Sequence, residues 1–168
     1  MFSRRAFLRI SLCIPPTLLL TTACSGSRPG VSAQLDHGPP AALGGTMTFR
    51  LTASCVWDAP NPDSDGTKTT AAEVSFSMTN GLVPLDSQWE ANSIREGMTL
   101  YRRSVVFKAD VPQSFELAVR LEQEGDQRIS GGAEVMLPGS THSDKQTLFL
   151  RVSSLDTLIQ RDPFTSTR

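Results

Sequence analysis

The chain has 168 residues, 39% of them hydrophobic and 20% charged, with a formal net charge of −1. This length suits one ordinary domain that can bury a core without disulfide bridges. Nucleic-acid binding relies on a basic patch that neutralises phosphates, and the nearly balanced charge argues against such a partner.

The first element in chain order is a short apolar segment, residues 10–23, that follows Arg4 and Arg5. Its 14 residues would extend about 21 Å as a helix, whereas a bilayer has a hydrocarbon core about 30 Å thick. A basic start and a short apolar run are typical of a cleaved export signal, so we predict a signal peptide over residues 1–23. The sequence SRRAFLR around the arginine pair resembles the twin-arginine export signal.

The sequence LTTAC at residues 20–24 resembles the lipobox of bacterial lipoproteins, although Thr21 stands where that family has a large aliphatic residue. The resemblance implies cleavage before Cys24 and a diacylglyceryl group on its sulfur. The protein would then be exported and anchored by lipid to the cell membrane or outer envelope, facing away from the cytoplasm. The alternative is non-lipidated cleavage after the sequence VSA at residues 31–33.

Residues 24–44 are rich in Ser, Gly and Pro without any period, which predicts a flexible tether that begins at the lipidated cysteine. Cys13 leaves with the signal, so Cys55 is single unless Cys24 escapes lipidation and forms a bridge with it. Loss of the signal also removes three arginines and no acidic residue. The mature chain then has 13 basic and 17 acidic side chains, a net charge of −4.

Apolar and polar residues alternate over residues 46–57, which predicts a long strand whose buried face includes Cys55 and Trp57. The same period of two recurs at residues 72–78, 101–107, 115–121, 133–137 and 148–152, and the less regular residues 83–90 supply a seventh predicted strand. Turn sequences such as Asn80-Gly81 and Gly131-Gly132 separate these strands.

About seven short strands between turns predict an all-β fold, a single antiparallel β-sandwich over residues 45–154. A C-terminal tail follows at residues 155–168, and no helix is expected before residues 156–160. The sequences GTMTFRLTASCVWDAP, AAEVSFSMTNGLVP and REGMTLYRRSVVFKADVPQSFELAVRLEQ resemble immunoglobulin-like domains of bacterial surface proteins. Cys55 has no partner cysteine of the antibody type, and the resemblance implies a fold without a function.

Asn61, Asp63 and Asp65 precede a glycine with the spacing that begins a calcium loop. The acidic residue that would close the loop is Glu73, one place beyond the usual twelfth position. Asp, Asn, Pro and Gly are equally the usual residues of a solvated turn. The loop is therefore a weak candidate for a metal site, and we predict no metal and no other cofactor.

Ser140, His142 and Asp144 bring a hydroxyl, an imidazole and a carboxylate into one short segment. Catalytic triads are assembled from separate segments around an oxyanion hole, and the chain has no GxSxG motif, so we predict no catalytic residue. Trp89, predicted to be exposed, is a candidate platform for a sugar ring, whereas Trp57 is in phase with the core.

These patterns together predict a protein that is not an enzyme. We expect a membrane-anchored extracytoplasmic lipoprotein whose domain is an interaction or structural module, with an envelope protein as its partner. The alternative is a module that binds a small ligand, calcium or a glycan, and a hydrolase is the third hypothesis.

Overall fold

A computed structural model of the chain describes residues 30–57, 68–137 and 139–163. The described residues form ten β-strands and no helix. The strands are β1 (Gly30–His37), β2 (Thr46–Val56), β3 (Thr69–Thr79), β4 (Leu82–Pro84), β5 (Glu90–Arg95), β6 (Met98–Lys108), β7 (Gln113–Leu121), β8 (Gly125–Leu137), β9 (Ser140–Val152) and β10 (Thr157–Arg161). Accordingly, this part of the chain contains no helix that could cross a membrane.

The strands form two antiparallel sheets. One has four strands in the order β1-β2-β7-β4, and the other has six in the order β10-β9-β8-β3-β6-β5. Their apolar faces meet in one core, to which each sheet contributes fully buried side chains such as Phe49 and Leu117 from the first and Phe76 and Ile129 from the second. The prediction of an all-β, antiparallel, sandwich-like fold is confirmed.

Strand β2 follows the predicted pattern closely. Its buried and exposed residues alternate from Thr46 to Val56, and Cys55 lies on the buried face. Trp57, directly after the strand, is also buried. Successive side chains of a strand point to opposite faces of the sheet, so the sequence alone determines which side of β2 meets the core.

Three strands lie where the sequence indicated none. Within the predicted tether, Gly30–His37 forms β1, which pairs with β2 along its whole length and buries Ala33 and Leu35. Within the predicted tail, Thr157–Arg161 forms the edge strand β10 beside β9, at residues where the sequence allowed a helix. The third is β5, which follows the single irregular strand predicted at residues 83–90, so ten strands are present in the described residues, against the seven expected.

Strand β1 also contacts the other sheet through its free edge. The Ala33 amide donates a hydrogen bond to Asp144 Oδ2 at 2.7 Å, and the Leu35 amide donates one to Gln146 Oε1 at 3.0 Å. Both acceptors are side chains of β9 in the six-stranded sheet. Side chains of one sheet thus satisfy the edge amides of the other, which leaves these two groups unavailable to a foreign strand.

Candidate functional site

The outer face of the four-stranded sheet is polar, and its side chains bond to one another. Arg50 donates to Glu116 at 2.6 Å across β2 and β7, and the Thr52 and Ser114 hydroxyls are 3.1 Å apart. Ser and Thr residues occupy most of the remaining outward positions of β2. A face whose polar groups already have partners offers little free energy to a binding partner.

The outer face of the six-stranded sheet is different because large apolar side chains are exposed on it. Their exposed fractions range from 43% for Phe149 to 72% for Met136. The exposed set on this face comprises Ile94, Val106, Met136, Phe149 and Leu158. Aromatic residues and Met are enriched at protein interfaces, so this face is the candidate contact surface.

Phe149 and Leu158 line a depression of about 340 Å³ near one edge of this face. The ion pair between Arg151 and Asp126 lies beside them, with Nε and Oδ1 2.9 Å apart. The hydrogen bond from Arg151, followed by its positive charge, lowers the pKa of the Asp126 carboxyl. This depression, which we call the apolar depression, therefore combines exposed hydrocarbon with a paired charge.

A second depression of about 340 Å³, which we call the basic depression, contains three cationic side chains. Arg95 comes from the irregular end of β5, Arg128 from β8 and Lys145 from β9. The other lining residues are Ser77, Ile94, Met98, Ser130 and Thr147. No acidic side chain is among the described residues that line it.

The two arginines of the basic depression converge on one sulfur atom. Arg95 donates to Met98 Sδ from Nε at 3.1 Å and from Nη2 at 2.9 Å, and Arg128 donates to the same sulfur from Nη2 at 2.8 Å. Below them the Ser130 and Thr147 hydroxyls bond to each other at 2.8 Å. Sequence reasoning missed this group, since the three cations are far apart in the chain and meet only through the sheet order.

The predicted metal loop is only partly within the described residues. Asn61, Asp63 and Asp65 lie outside them, as do Cys24 and the arginine pair of the signal. Glu73 lies on the outer face of β3, with its Oε2 3.6 Å from Arg102 Nη1. No cluster of three potential metal ligands occurs in the part of the chain that the structure covers.

The three residues considered for a hydrolase all lie on β9 and are only partly brought together. Ser140 Oγ and His142 Nε2 are 2.8 Å apart, within hydrogen-bond distance. Asp144 instead accepts hydrogen bonds from the backbone amides of Ala33 and Lys145. The carboxylate therefore supports the β1 edge, and neither of these two hydrogen bonds orients the imidazole.

Trp89 does not form the predicted exposed platform. It is 6% exposed and packs edge-to-face on Phe76, with the ring centroids 5.0 Å apart. It lies just before β5, in the irregular stretch where no period of two marks an inward face. Trp57 is buried as predicted, so both tryptophans belong to the core.

Cys55 is fully buried, and the Asp110 amide donates a hydrogen bond to its carbonyl oxygen at 3.0 Å. Burial raises the pKa of the thiol above its ordinary 9.0, and the negative charge of Asp110 raises it further. A protonated, inaccessible thiol is a poor nucleophile, as the sequence suggested.

The raised thiol pKa predicts a loss of stability at alkaline pH. The folded state holds the Cys55 proton more tightly than the unfolded state, so the protonated thiol stabilises the fold. This stabilisation is complete below pH 9.0 and is lost as the pH rises through the raised pKa of the folded state. Urea midpoints measured at pH 8 and pH 10 should therefore fall more for the wild type than for Cys55→Ala. Equal falls in the two proteins would contradict this prediction.

Comparisons with known proteins identify no family. No protein-family model matches the chain. No curated protein matches it. Among solved structures, it is similar to the sporulation control protein Spo0M from Bacillus subtilis, with 11% sequence identity and a TM-score of 0.35. The match covers 74% of this chain and 49% of that one, so the chain spans about half the length of the neighbour.

Proposed function

We propose that this protein is an exported, lipid-anchored interaction module that performs no catalysis. Its domain is of the immunoglobulin-like type and is held at the cell membrane or outer envelope, facing away from the cytoplasm. The partner is an envelope protein that contacts the outer face of the six-stranded sheet.

The contrast between the two outer faces carries this proposal. On the four-stranded sheet, pairs such as Arg50 and Glu116 satisfy each other. On the six-stranded sheet, Met136 is 72% exposed and Leu158 is 65% exposed, alongside cations with no carboxylate partner among the described residues. Exposed hydrocarbon beside unsatisfied charge is typical of a surface that binds another macromolecule.

A lipid on Cys24 would keep the domain close to the membrane. Six chain steps separate Cys24 from Gly30, the first residue of β1. Since one step spans at most about 3.6 Å, the lipid would lie within roughly 22 Å of the first strand. The domain would thus stay close to the membrane, which raises its effective concentration toward partners in the same envelope.

Site-specific photocrosslinking in intact cells tests both parts. A photoreactive amino acid replaces Met136 on the six-stranded outer face or, as the matched control, exposed Thr48 on the four-stranded outer face. Each full-length protein is also made with Cys24→Ala, which removes the proposed lipid site, and with Cys13→Ala, which leaves that site intact.

We expect one discrete adduct from the Met136 position, retained with Cys13→Ala and lost with Cys24→Ala, and no adduct from the Thr48 position. The absence of a Met136 adduct, or an equal adduct from both faces, would contradict the proposed contact surface. An adduct that persists with Cys24→Ala would contradict the requirement for the lipid anchor.

A further inference from the structure

We propose that the basic depression binds an oxyanion of the phosphate class, through Arg95, Arg128 and Lys145. The same chemistry is available from free phosphate and from the headgroup of an anionic phospholipid, and a titration with each can separate these sources. This inference concerns a small-anion site and does not depend on the anchoring or on the protein partner proposed above.

The charge of the basic depression favours an anion. None of the five ion pairs found in the described residues includes Arg95, Arg128 or Lys145. Two acidic side chains on the same outer face already have other cationic partners, because Glu73 pairs with Arg102 and Asp126 pairs with Arg151. Three cations around one depression repel one another, and a bound anion would relieve that repulsion.

The two arginines of the basic depression share one weak hydrogen-bond acceptor. Arg95 and Arg128 both donate to Met98 Sδ, at distances of 2.8 to 3.1 Å. A thioether sulfur is a weak acceptor, and each guanidinium carries five N–H groups in a fixed fork. An oxyanion offers strong, charged acceptors to this fork, so exchanging the sulfur for an oxyanion strengthens the bonds that the arginines make.

The hydroxyl groups of the basic depression favour a phosphate over a carboxylate. Hydroxyl side chains of Ser77, Ser130 and Thr147 line the depression beneath the cations. Cations on three strands, together with the hydroxyls beneath them, can donate hydrogen bonds to oxygens that point in several directions. The oxygens of a tetrahedral phosphate are arranged in this way. A carboxylate presents two coplanar oxygens and would occupy a single arginine fork.

Other depressions on this face have a different lining. The apolar depression contains Asp126, and a third depression, of about 250 Å³, contains Glu73 and Glu134. These carboxylates would repel an anion. Among these three depressions, only the basic depression combines cations, hydroxyls and no acidic lining residue.

The test is a titration of the full chain in non-ionic detergent with inorganic phosphate, at constant ionic strength, followed by amide chemical shifts. Lys145→Gln removes one cation of the site. Lys108→Gln is the matched control, because Lys108 is on the same outer face but far from the basic depression. Lys108 is the register partner of Thr69 on β3. Lys145 is the register partner of Gly132 on β8, which lies opposite Ser75 on β3. The positions of Thr69 and Ser75 are six residues apart, which corresponds to about 20 Å along β3.

We expect saturable shifts around the basic depression, roughly fivefold weaker binding for Lys145→Gln, and unchanged binding for Lys108→Gln. Arg128→Gln should weaken binding at least as much, which provides a second variant. The same titration with mixed micelles containing phosphatidylglycerol identifies the source. Tighter binding there than to inorganic phosphate assigns the site to the lipid headgroup, and the reverse assigns it to a free anion.

Two results would overturn the proposal. One is no saturable shift with either inorganic phosphate or phosphatidylglycerol. The other is equal weakening by Lys145→Gln and Lys108→Gln, which would mean a general charge effect instead of a site. The photocrosslinking experiment is independent of both results, so failure of the anchored-module proposal and failure of the anion site are distinguishable.

Discussion

Replacing Phe76 by alanine is expected to lower the free energy of unfolding by about 3–5 kcal/mol. Phe76 is fully buried in β3, and its ring packs against Trp89 edge-to-face at a centroid distance of 5.0 Å. Opposite it on β8 is Gly131, where an added Cβ would lie 3.0 Å from Leu35 Cδ1, 3.2 Å from Leu51 Cδ1 and 3.4 Å from Phe76 Cε1, so the core around the ring is closely packed. Truncation would leave a cavity that the two rigid sheets can collapse only in part.

Urea-induced unfolding followed by circular dichroism measures this loss. Phe149→Ala is the matched control, because Phe149 is 43% exposed on the outer face and its truncation should cost less than about 1 kcal/mol. Similar losses for the two variants would mean that Phe76 does not lie in the shared core of the two sheets.

The central strands were predictable because their buried faces are encoded locally. Apolar residues occupy every second position over residues 47–55 of β2 and 72–78 of β3, and the structure buries those positions in both strands. A pattern of this length determines strand type and facing direction without knowledge of any partner. The turn at Asn80-Gly81 likewise lies between β3 and β4 as the dipeptide indicates, whereas Gly131-Gly132, also predicted to be a turn, lies inside β8.

Strands β1 and β10 were not predictable by the same reasoning. β1 buries only Ala33 and Leu35 among serine, glycine and aspartate, so its sequence resembles a linker. Its order comes from pairing with β2 and from acceptors on β9, 111 residues away in the chain. β10 buries only Thr157, whose hydroxyl donates to the Ala41 carbonyl oxygen at 2.6 Å. Tertiary contacts, which have no local signature, determine both strands.

The basic depression could not be found from the sequence for a related reason. Arg95, Arg128 and Lys145 are each ordinary exposed-phase residues of separate strands. They share a surface only because β3 and β6 lie between β5 and β8 in the sheet, and because β8 pairs with β9. Neither the sheet order nor the irregularity at the end of β5 can be predicted from the sequence of a single segment.

Replacing Asp144 by alanine is expected to detach the free edge of β1 and to lower the free energy of unfolding by about 1–3 kcal/mol. Asp144 Oδ2 accepts the Ala33 amide at 2.7 Å in a partly buried position, and alanine would leave that donor without its acceptor. Amide hydrogen exchange should therefore accelerate over Gly30–His37 while the exchange of β3, in the middle of the other sheet, changes little.

Two further variants separate the hydrogen bond from the charge. Asp144→Asn keeps an acceptor oxygen and should retain most of the protection of β1. Asp126→Ala removes a carboxylate whose ion pair with Arg151 is exposed on the outer face, so β1 exchange should not change. If Asp144→Ala leaves the exchange of β1 as in the wild type, the hydrogen bond between the Ala33 amide and Asp144 adds no stability, and pairing with β2 and the contact with Gln146 hold this strand.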